Sequence, residues 1–557
     1  MSGLRLMTIV ALLSGCASSS IPEARFANRP IVWRVNDRRS IPEPKAYERS
    51  EKRVWWNTLV FRRFNRFTEF PDTKRAMNVN ALGEVPNSTW FTNRIGMREL
   101  AIVEIERGPN RIDVAAYRGK WTIRSTKVGG GNPGFIAEND NGGTYILKLS
   151  AKGISQIEAR SAIVTQRLIW AFGFNVPEDT LIEITPDQVV IPDDAVVKDV
   201  FGNKSPLTPK AYEDVLGRGG IKKGEAFTVL ASRFLDGKPK GGFEHEGVRE
   251  DDPNDVVPHQ HRRELRGSRI LFGWLQHTDI KPQNSIDMYT EDPIDTDIQY
   301  LVHYWVDFGL SLGTFGHGRA WQWDGYSHTV DLAHSGEALV TFGLYEKPWE
   351  RTVTPDVPEV GHFSSEYFDI DEFKAIYPFL PHENCDRLDS FWATKILMRF
   401  SPEHIRTAVE QGGYPSSASV DYLTTTLIQR QEHIGRVWLN RLTALDAFRL
   451  GEDRLCMTDL LTEHRLNNSA AAIMYRARAF DSDGRELGWS RDLSHEPSKG
   501  AEVCIPDLKL SPKGDGYTIL ELSVQRPGRD EQAPPVWLHL ARDPSSERPR
   551  VIGVWRE

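Results

Sequence analysis

The chain has 557 residues, of which 39% are hydrophobic and 26% are charged, and its formal net charge is −8 at pH 7. This composition is typical of soluble globular protein, and the length allows two or three domains with separate cores. A net negative charge argues against nucleic acid, or an anionic membrane face, as the main partner. We therefore expect no nucleic-acid partner.

The first residues have the pattern of a secretory signal peptide. Arg5 supplies a positive charge, residues 6–13 are apolar, and Cys16 follows Leu-Ser-Gly at 13–15. The apolar run is too short to span a bilayer in the mature chain. The sequence around Cys16 resembles a bacterial lipobox, which implies removal of residues 1–15 and lipidation of Cys16. The alternative is an ordinary signal peptide with an incidental cysteine.

Ala17, rather than aspartate, follows Cys16. Within the lipoprotein resemblance, this residue implies sorting to the outer membrane. We therefore expect a lipid-anchored protein of the bacterial cell envelope that faces the periplasm and meets the membrane through its anchor. No later segment approaches the roughly 20 apolar residues that a transmembrane helix needs.

Residues 16–115 show little regular periodicity. They contain scattered prolines and clusters of arginine with aromatic residues, such as those at 55–64. We interpret them as a tether followed by an extended segment with short helices that wraps around the next domain. We find no catalytic set of residues in this part of the sequence.

The pattern then changes to short strands. Residues 121–123 and 135–138 are predicted strands on either side of a glycine-rich loop. The Asn-Asp-Asn-Gly-Gly turn at 139–143 predicts a hairpin, because Asn-Gly adopts the positive φ that such turns need. The returning strand at 144–149 contains Lys148, and a Pro- and Gly-rich insertion follows at 192–224.

The glycine-rich loop is a weak signal by itself. Its three glycines have G-x-G-x-x-G spacing: Gly129, Gly131 and Gly134. A dinucleotide-binding site would need a helix directly after this spacing, whereas a strand follows here. A plain flexible turn is the alternative.

The most informative stretch is HTDIKPQN at residues 277–284, followed by DFG at 307–309. An apolar helix is predicted over 265–276, and a buried strand over 300–306 ends directly before the second motif. The residues between the motifs predict a hairpin with an acidic turn at 291–297. Carboxylate, lysine and amide side chains in this order suit phosphoryl transfer, because oxygen ligands hold Mg²⁺ and lysine neutralises phosphate.

Here the sequence resembles the protein-kinase superfamily, whose catalytic loop and D-F-G have this form and order. The resemblance covers about residues 120–445. It implies an α+β, two-lobed kinase-like fold, with a β-rich small lobe at 116–236 and a helical large lobe at 237–450. The segment after Gly309 lacks A-P-E, so the chain resembles an atypical bacterial member, and the docking of substrates in ordinary protein kinases is not carried over.

The resemblance implies roles for the residues of the two central motifs. Asp279 would orient the acceptor hydroxyl or accept its proton, and Lys281 would neutralise the transferred phosphate. Asn284 and Asp307 would hold Mg²⁺ through oxygen ligands. His277 would brace the catalytic loop.

The resemblance also implies a nucleotide-binding set. The loop glycines would cover ATP, and Lys148 would hold its α- and β-phosphates. Glu158, on a helix predicted over 154–173, would pair with Lys148, although a surface glutamate is an alternative because the interval is short. Residues 233–237 would join the two lobes and meet the adenine.

The end of the chain changes character twice. Residues 365–450 have helical periodicity and are expected to form the core of the larger lobe. Short strands separated by turns then predict a β-sandwich-like module over 451–557. Cys456 and Cys504 both lie in this module, and export permits disulfides. We expect these two to pair and Cys385 to stay free.

These observations favour an ATP- and Mg²⁺-dependent kinase-like phosphotransferase of the cell envelope, with an unknown protein or small molecule as acceptor. The predicted export argues against this function, because ATP is scarce outside the cytoplasm. One alternative is therefore a catalytically inactive kinase-fold scaffold or binding lipoprotein of the envelope. Transfer of AMP instead of phosphate is another alternative, since a fold alone does not fix the reaction.

Overall fold

The computed structural model describes residues 21–47, 55–62, 74–112, 114–153, 156–199, 202–316, 318–451, 453–467, 469–529 and 531–557. Helices and strands are mixed along this part of the chain, as expected for an α+β protein. Within these ranges, no helix is both long and apolar enough to cross a membrane. Cys16 lies outside the described residues, so its lipidation stays a prediction.

An eight-stranded sheet dominates the first half of the chain. In chain order, this region contains α1 (Ile102–Arg107), β1 (Trp121–Thr126), β2 (Gly134–Asn139), β3 (Thr144–Lys148), α2 (Ile157–Phe172), β4 (Asp179–Ile184), β5 (Val189–Val190), β6 (Val196–Lys198), β7 (Lys204–Pro206), α3 (Pro209–Arg218) and β8 (Phe227–Arg233). The strands lie in the order β4-β8-β3-β2-β1-β6-β7, and β5 pairs with β1. Alternating buried side chains such as Trp121 and Ile123 give the sheet one apolar face.

Helix α2 packs away from the core of this sheet. Its apolar residues, including Ile163, Leu168 and Phe172, belong to the core that is built mainly by the later helices. Twelve of its sixteen residues are buried, which explains why it is apolar on most sides. The helix therefore attaches the sheet to the rest of the molecule.

The second region is mainly helical and contains one long hairpin. In chain order it has β9 (Lys238–Pro239), α4 (Arg263–Leu275), β10 (Ser285–Glu291), β11 (Gln299–Trp305), β12 (Thr314–Phe315), β13 (Gly318–Arg319), α5 (Leu332–Val340), α6 (Leu380–Glu383), α7 (Arg387–Leu397), α8 (Pro402–Glu410) and α9 (Ser417–Trp438). Strands β9, β10 and β11 form one sheet. Helix α4 packs on α7 and α9 and is buried along almost its whole length.

The C-terminal region is built from strands. In chain order it contains β14 (Leu445–Leu450), β15 (Leu455–Asp459), α10 (Leu460–Glu463), β16 (Ile473–Phe480), β17 (Glu486–His495), β18 (Glu502–Ile505), β19 (Thr518–Gln525), β20 (Val536–Arg542) and β21 (Pro549–Arg556). They form a three-stranded sheet, β14-β15-β18, and a five-stranded sheet, β17-β16-β19-β20-β21. The two sheets share one core, to which Met457 contributes from the first and Leu538 from the second.

This region begins earlier than the sequence indicated. Strand β14 lies before Gly451 and pairs with β15, so it belongs with the sheets rather than with the helices. Cys456 and Cys504 face each other across β15 and β18 and form a disulfide, with an S–S distance of 2.07 Å. Cys385 is a free thiol, and burial raises its pKa to about 12.

The N-terminal segment crosses several parts of the molecule. The Phe26 amide donates to Tyr517 Oη at 2.9 Å, and the Phe26 ring lies edge-on to His539. Gly553 makes room for this ring, because a Cβ at that position would lie 2.3 Å from it. Farther along, the Lys45 amide donates to Asp251 Oδ2 at 2.8 Å. The segment thus links the C-terminal sheets to the helical region.

Candidate active site

Buried contacts hold the loop that follows α4. The helix ends at Gln276, whose φ of 48° turns the chain sharply. His277 Nδ1 then shares a hydrogen bond of 2.9 Å with Ser311 Oγ, and the Thr278 amide donates to the Leu310 carbonyl at 3.2 Å. Burial lowers the pKa of His277 to about 4, so the ring is neutral at physiological pH. These bonds fix the loop against the segment that follows residues 307–309.

Three predicted site residues meet at the tip of this loop. Lys281 Nζ donates to Asp279 Oδ2 at 2.9 Å, and Asn284 Nδ2 donates to the Asp279 carbonyl at 2.8 Å. Burial alone would lower the pKa of Lys281, but the Asp279 carboxylate outweighs this effect and raises it. Lys281 is therefore a charged group that orients the Asp279 carboxylate.

The hairpin β10–β11 brings Asn284 next to Asp307. Ser285 pairs with Trp305 at the base of the ladder, and the Val306 amide donates to the Asn284 carbonyl at 2.9 Å. The predicted hairpin is confirmed by this register. The long interval between the two motifs lies in the hairpin, so it does not separate their side chains.

Asp307 lies at the centre of the site. Its φ of 64° is unusual for a residue other than glycine, and such backbone strain is concentrated at functional sites. Lys148 Nζ, at the end of β3, donates to Asp307 Oδ1 at 3.2 Å. The Lys148 charge lowers the pKa of Asp307. Burial alone would lower the pKa of Lys148, but Asp307, Asp179 and Glu158 outweigh it, and the pKa is raised. The structure thus joins Lys148 to the D-F-G triplet.

Glu158 is not the ion-pair partner of Lys148. Among the contacts of the described residues, Lys148 pairs with Asp307, while Glu158 Oε2 accepts a bond from Asn132 Nδ2 at 3.3 Å. Glu158 also lies against Gly309, where a Cβ would come 2.6 Å from its Oε1. The predicted Lys148–Glu158 pair is therefore wrong for this state. The cause is the position of α2, which directs the carboxylate to the glycine-rich loop and the D-F-G backbone.

The three loop glycines differ in how strictly the structure requires glycine. Gly129 has a φ of 77°, which favours glycine, and its surroundings are open. Gly131 is also in open space, and its φ lies outside the left-handed region. Gly134 begins β2, where a Cβ would lie 2.0 Å from the Leu147 carbonyl oxygen. Gly134 is therefore required by strand pairing whether or not a nucleotide binds.

Two further charged residues at this site escaped the sequence prediction. Lys127 Nζ donates to the carbonyls of Gly129 at 2.5 Å and Asn132 at 3.2 Å, so it ties the loop to its own base. Burial and the nearby Lys148 lower the pKa of Lys127. Asp179 opens β4 and is only 4% exposed. The signal that could have indicated Lys127 is its position two residues before Gly129, and no local pattern singled out Asp179.

Ion pairs hold the connection between the sheet region and the helical region in place. Residues 234–237 lie between the end of β8 at Arg233 and the start of β9 at Lys238. Arg111 donates to Glu178 Oε1 at 2.6 Å and to Asp236 Oδ2 at 2.7 Å, and Arg233 also lies 3.4 Å from Glu178. This network holds the connection against the beginning of β4.

Much of the segment at 321–345 is exposed to solvent, whereas residues directly after Gly309, such as Ser311 and Leu312, are buried. Trp321 and Trp323 stack with ring centroids 5.2 Å apart, and both are about half exposed. Helix α5 contributes no buried side chain, and the apolar residues on and after it are exposed, Phe342 at 89%. The backbone nevertheless reaches the catalytic loop, because the Ile376 amide donates to the Thr278 carbonyl and the Thr329 amide donates to the Ile376 carbonyl.

The donor set at the base of the hairpin fits a hard divalent cation. Asp307 offers a partly exposed carboxylate, and Asn284 is oriented by its Nδ2, which leaves Oδ1 as the ligand atom. Carboxylate and amide oxygens are the ligands that Mg²⁺ prefers. Lys148, Lys127 and Lys281 lie around these residues, as an anion such as a polyphosphate would require.

Comparisons with known proteins give little guidance. A scan against protein-family models finds no match, and a search of curated proteins finds no relative. A solved structure titled as the Golgi casein kinase is 10% identical, and the match covers 73% of this chain and 94% of that one with a TM-score of 0.29. A second, titled as that kinase with Mn and ADP bound, is 11% identical over 71% and 94%, also at 0.29. A TM-score this low carries no argument about fold or function.

Proposed function

We propose that this chain is an ATP- and Mg²⁺-dependent, kinase-like phosphotransferase. The observation that carries the proposal is the ion pair between Lys148 and Asp307 at 3.2 Å. It joins the lysine that follows the glycine-rich loop to the acid that follows a buried strand, and Asp279 lies on the adjacent loop. A scaffold would need none of these charges close together, whereas phosphoryl transfer needs each of them.

The catalytic loop supplies the groups that act on the acceptor. Asp279 accepts the proton of the acceptor hydroxyl, or orients it, as the new O–P bond forms and the bond to the leaving ADP oxygen breaks. Lys281 keeps the Asp279 carboxylate in place through their 2.9 Å bond. Its positive charge also offsets negative charge on the transferred phosphoryl group.

The sheet side supplies the groups that hold the nucleotide. Lys148 binds the α- and β-phosphates, and the loop over Gly129 and Gly131 covers them. Lys127 holds that loop closed through its two carbonyl contacts. Asn284 and Asp307 hold Mg²⁺, which would neutralise charge on the phosphates when bound.

We further propose that the protein acts in the cell envelope, anchored through Cys16. This rests on the lipobox-like sequence at 13–16, and the anchor would precede the docked N-terminal segment by a short distance along the chain. Replacement of Cys16 by alanine should move the protein from the membrane fraction or leave its signal peptide uncleaved. Fractionation identical to that of the parent chain would contradict the anchor.

The two aspartates provide the test of the reaction. Asp307→Ala should weaken Mg²⁺-dependent ATP binding and turnover together. Asp279→Asn should keep ATP binding and lower transfer by about 10²-fold or more, because it removes only the acid that faces the acceptor. The measurements are calorimetric ATP binding with and without Mg²⁺, and transfer of γ- or α-labelled phosphate to the protein itself or to an envelope extract.

Asp297→Asn is the matched control. Asp297 is an exposed acid in the turn of the same hairpin, so its loss should change neither quantity. Transfer of the α-labelled phosphate to the acceptor would show that the chain transfers AMP instead of the γ-phosphate. If the unsubstituted chain binds no nucleotide, with or without divalent metal ions, the phosphotransferase proposal fails. The inactive envelope scaffold is then the better explanation.

A further inference from the structure

A cavity outside the proposed site lies where the N-terminal segment meets the helical region and the C-terminal sheets. Its volume is about 610 Å³, and its lining residues lie within 27–39, 77–88 and 254–262, with Ile552 of β21. None of the residues assigned to the proposed site is among them. The volume falls within the range of small-molecule sites, roughly 300–1,000 Å³. It is also many times the roughly 30 Å³ that one water molecule takes in the liquid, so the cavity has room for an organic ligand.

The walls of this cavity are mainly apolar. Four of the side chains that line it are each more than one third exposed, namely Val32, Val35, Met77 and Val256. Single exposed apolar residues are normal in a folded protein, but a group of them around one cavity is typical of a binding site. We therefore expect the ligand of this cavity to have an apolar body.

The charged residues of the lining are Arg29, Arg39, Arg262 and Asp37. Arg262 Nη2 donates to Asp255 Oδ1 at 2.7 Å, so the Arg262 charge is already paired. Arg39 Nε donates to the neutral Asn254 Oδ1 at 3.1 Å, and Arg29 has no side-chain hydrogen bond or ion pair within the described residues. These two arginines outnumber Asp37, so the lining is net positive and favours an anionic group.

Two buried polar atoms belong to the same lining. Asp37 Oδ1 and Arg262 Nε have no hydrogen-bond partner in the part of the chain that the structure describes. Both side chains are held at neighbouring residues. Asp37 Oδ2 accepts from the Thr89 amide at 2.7 Å, and the Arg262 guanidinium lies 4.4 Å from the centroid of the Trp90 ring. Native structures rarely leave such atoms unused, and a hydroxyl group on a ligand offers the complementary donor and acceptor.

We propose that this cavity binds an amphipathic organic anion. Its phosphate or carboxylate group binds at Arg29 and Arg39, and its apolar body lies along Val32, Val35 and Val256. Both kinds of head group present negative oxygens to a guanidinium, so arginine accepts either one. This binding does not require phosphotransferase activity, because the cavity shares no residue with the proposed site.

The test measures binding of simple amphiphiles to the full chain by calorimetry, below the concentrations at which they form micelles. Decyl phosphate and decanoate are the anionic probes, and their relative affinities distinguish a phosphate from a carboxylate head group. Decyltrimethylammonium carries the same chain with a positive charge, and inorganic phosphate is a head group without a chain. At least one anionic probe should bind, and both of these controls should bind at least about tenfold more weakly.

Substitutions then locate the binding. Arg29→Gln and Arg39→Gln should each weaken binding of the anionic probe a few-fold, as expected for exposed charges. Val256→Asp places a negative charge on the exposed wall and should weaken it by about tenfold or more. The matched controls are Arg34→Gln and Val103→Asp. Both residues are exposed and neither lines the cavity, so the affinity should not change.

Three results would overturn the proposal. They are binding of neither anionic probe, equal binding of decyltrimethylammonium, and an affinity that none of the three cavity substitutions changes. The variants are expected to fold, because every replaced side chain is exposed, and thermal melts check this. All of the measurements are made without nucleotide, so their outcome is separate from the test of phosphate transfer.

Discussion

The two sides of the proposed site are built in different ways. On the catalytic side, Asp279, Lys281, Asn284 and Asp307 come from one loop and one hairpin, and their bonds run to buried neighbours such as His277. On the nucleotide side, the glycine-rich loop is held by the side chains of Lys127 and Asn132, with open space around Gly129. The first side is fixed by the fold, and the second is held by a few polar contacts.

Under the proposed function, the two sides would have separate tasks. Acceptor chemistry needs groups held in a productive geometry, which buried contacts supply. Nucleotide exchange needs a cover that opens, and loops with few buried contacts open most readily. Changes on the catalytic side should therefore reduce stability and turnover, whereas changes in the loop should mainly alter nucleotide affinity.

The largest expected effect comes from Gly134. It is the last glycine of the loop, yet its replacement should mainly reduce stability. Gly134→Ala should lower the free energy of unfolding by about 3 kcal/mol, because its Cβ would overlap the Leu147 carbonyl. Gly129→Ala should cost about 1 kcal/mol through its positive φ. Gly131→Ala, the matched control in open space, should change stability by less than about 0.5 kcal/mol. Denaturant unfolding of the three variants gives the order, and equal effects would contradict it.

The next effect compares the two sides directly. Ser311→Ala removes the partner of the buried His277 ring and should cost about 1–3 kcal/mol of stability. It should also lower turnover while the ATP affinity is kept. Asn132→Ala removes a longer bond at a partly exposed site, so it should cost less than about 1 kcal/mol. Its effect should instead be on ATP affinity, by a few-fold. Melting temperatures and calorimetry check both, and the opposite assignment of effects would contradict the comparison.

The same difference between the two sides explains which features could be predicted from the sequence. The grouping of Asp279, Lys281, Asn284 and Asp307 was predictable because these residues lie in two short motifs, and the strand pairing of a hairpin fixes how the two motifs meet. The partner of Lys148 was predicted wrongly, because it depends on how α2 docks against a core formed by distant helices. No local sequence pattern indicates how α2 docks against that core.

The boundary of the C-terminal region was misplaced for a similar reason. Strand β14 was assigned to the helical region because its neighbours before Leu445 are helical, and its partner β15 comes later in the chain.

The smallest expected effect is a difference in pH dependence between Asp307 and Glu158, two acids of the proposed site. The pKa of Asp307 is lowered by Lys148, so its contribution to stability is present above its unfolded pKa and is lost as the pH falls through the folded pKa. The pKa of Glu158 is raised by burial. Its contribution is therefore full below the unfolded pKa and is lost as the pH rises through the folded one.

Replacement of each acid by its neutral amide should distinguish these two opposite pH dependences of stability. Glu158→Gln keeps an acceptor for Asn132 and should raise the melting temperature slightly at pH 7 but not at pH 3, since the protonated acid is already neutral there. Asp307→Asn should lower the melting temperature at pH 7 and leave it unchanged at the most acidic pH. Both effects should be below about 1 kcal/mol, because solvent screens the partly exposed groups. Melting temperatures from pH 3 to 8, with Asp297→Asn as the exposed control, measure them. If both variants shift stability in the same direction at pH 7, the two carboxylates do not differ in the way that the structure implies.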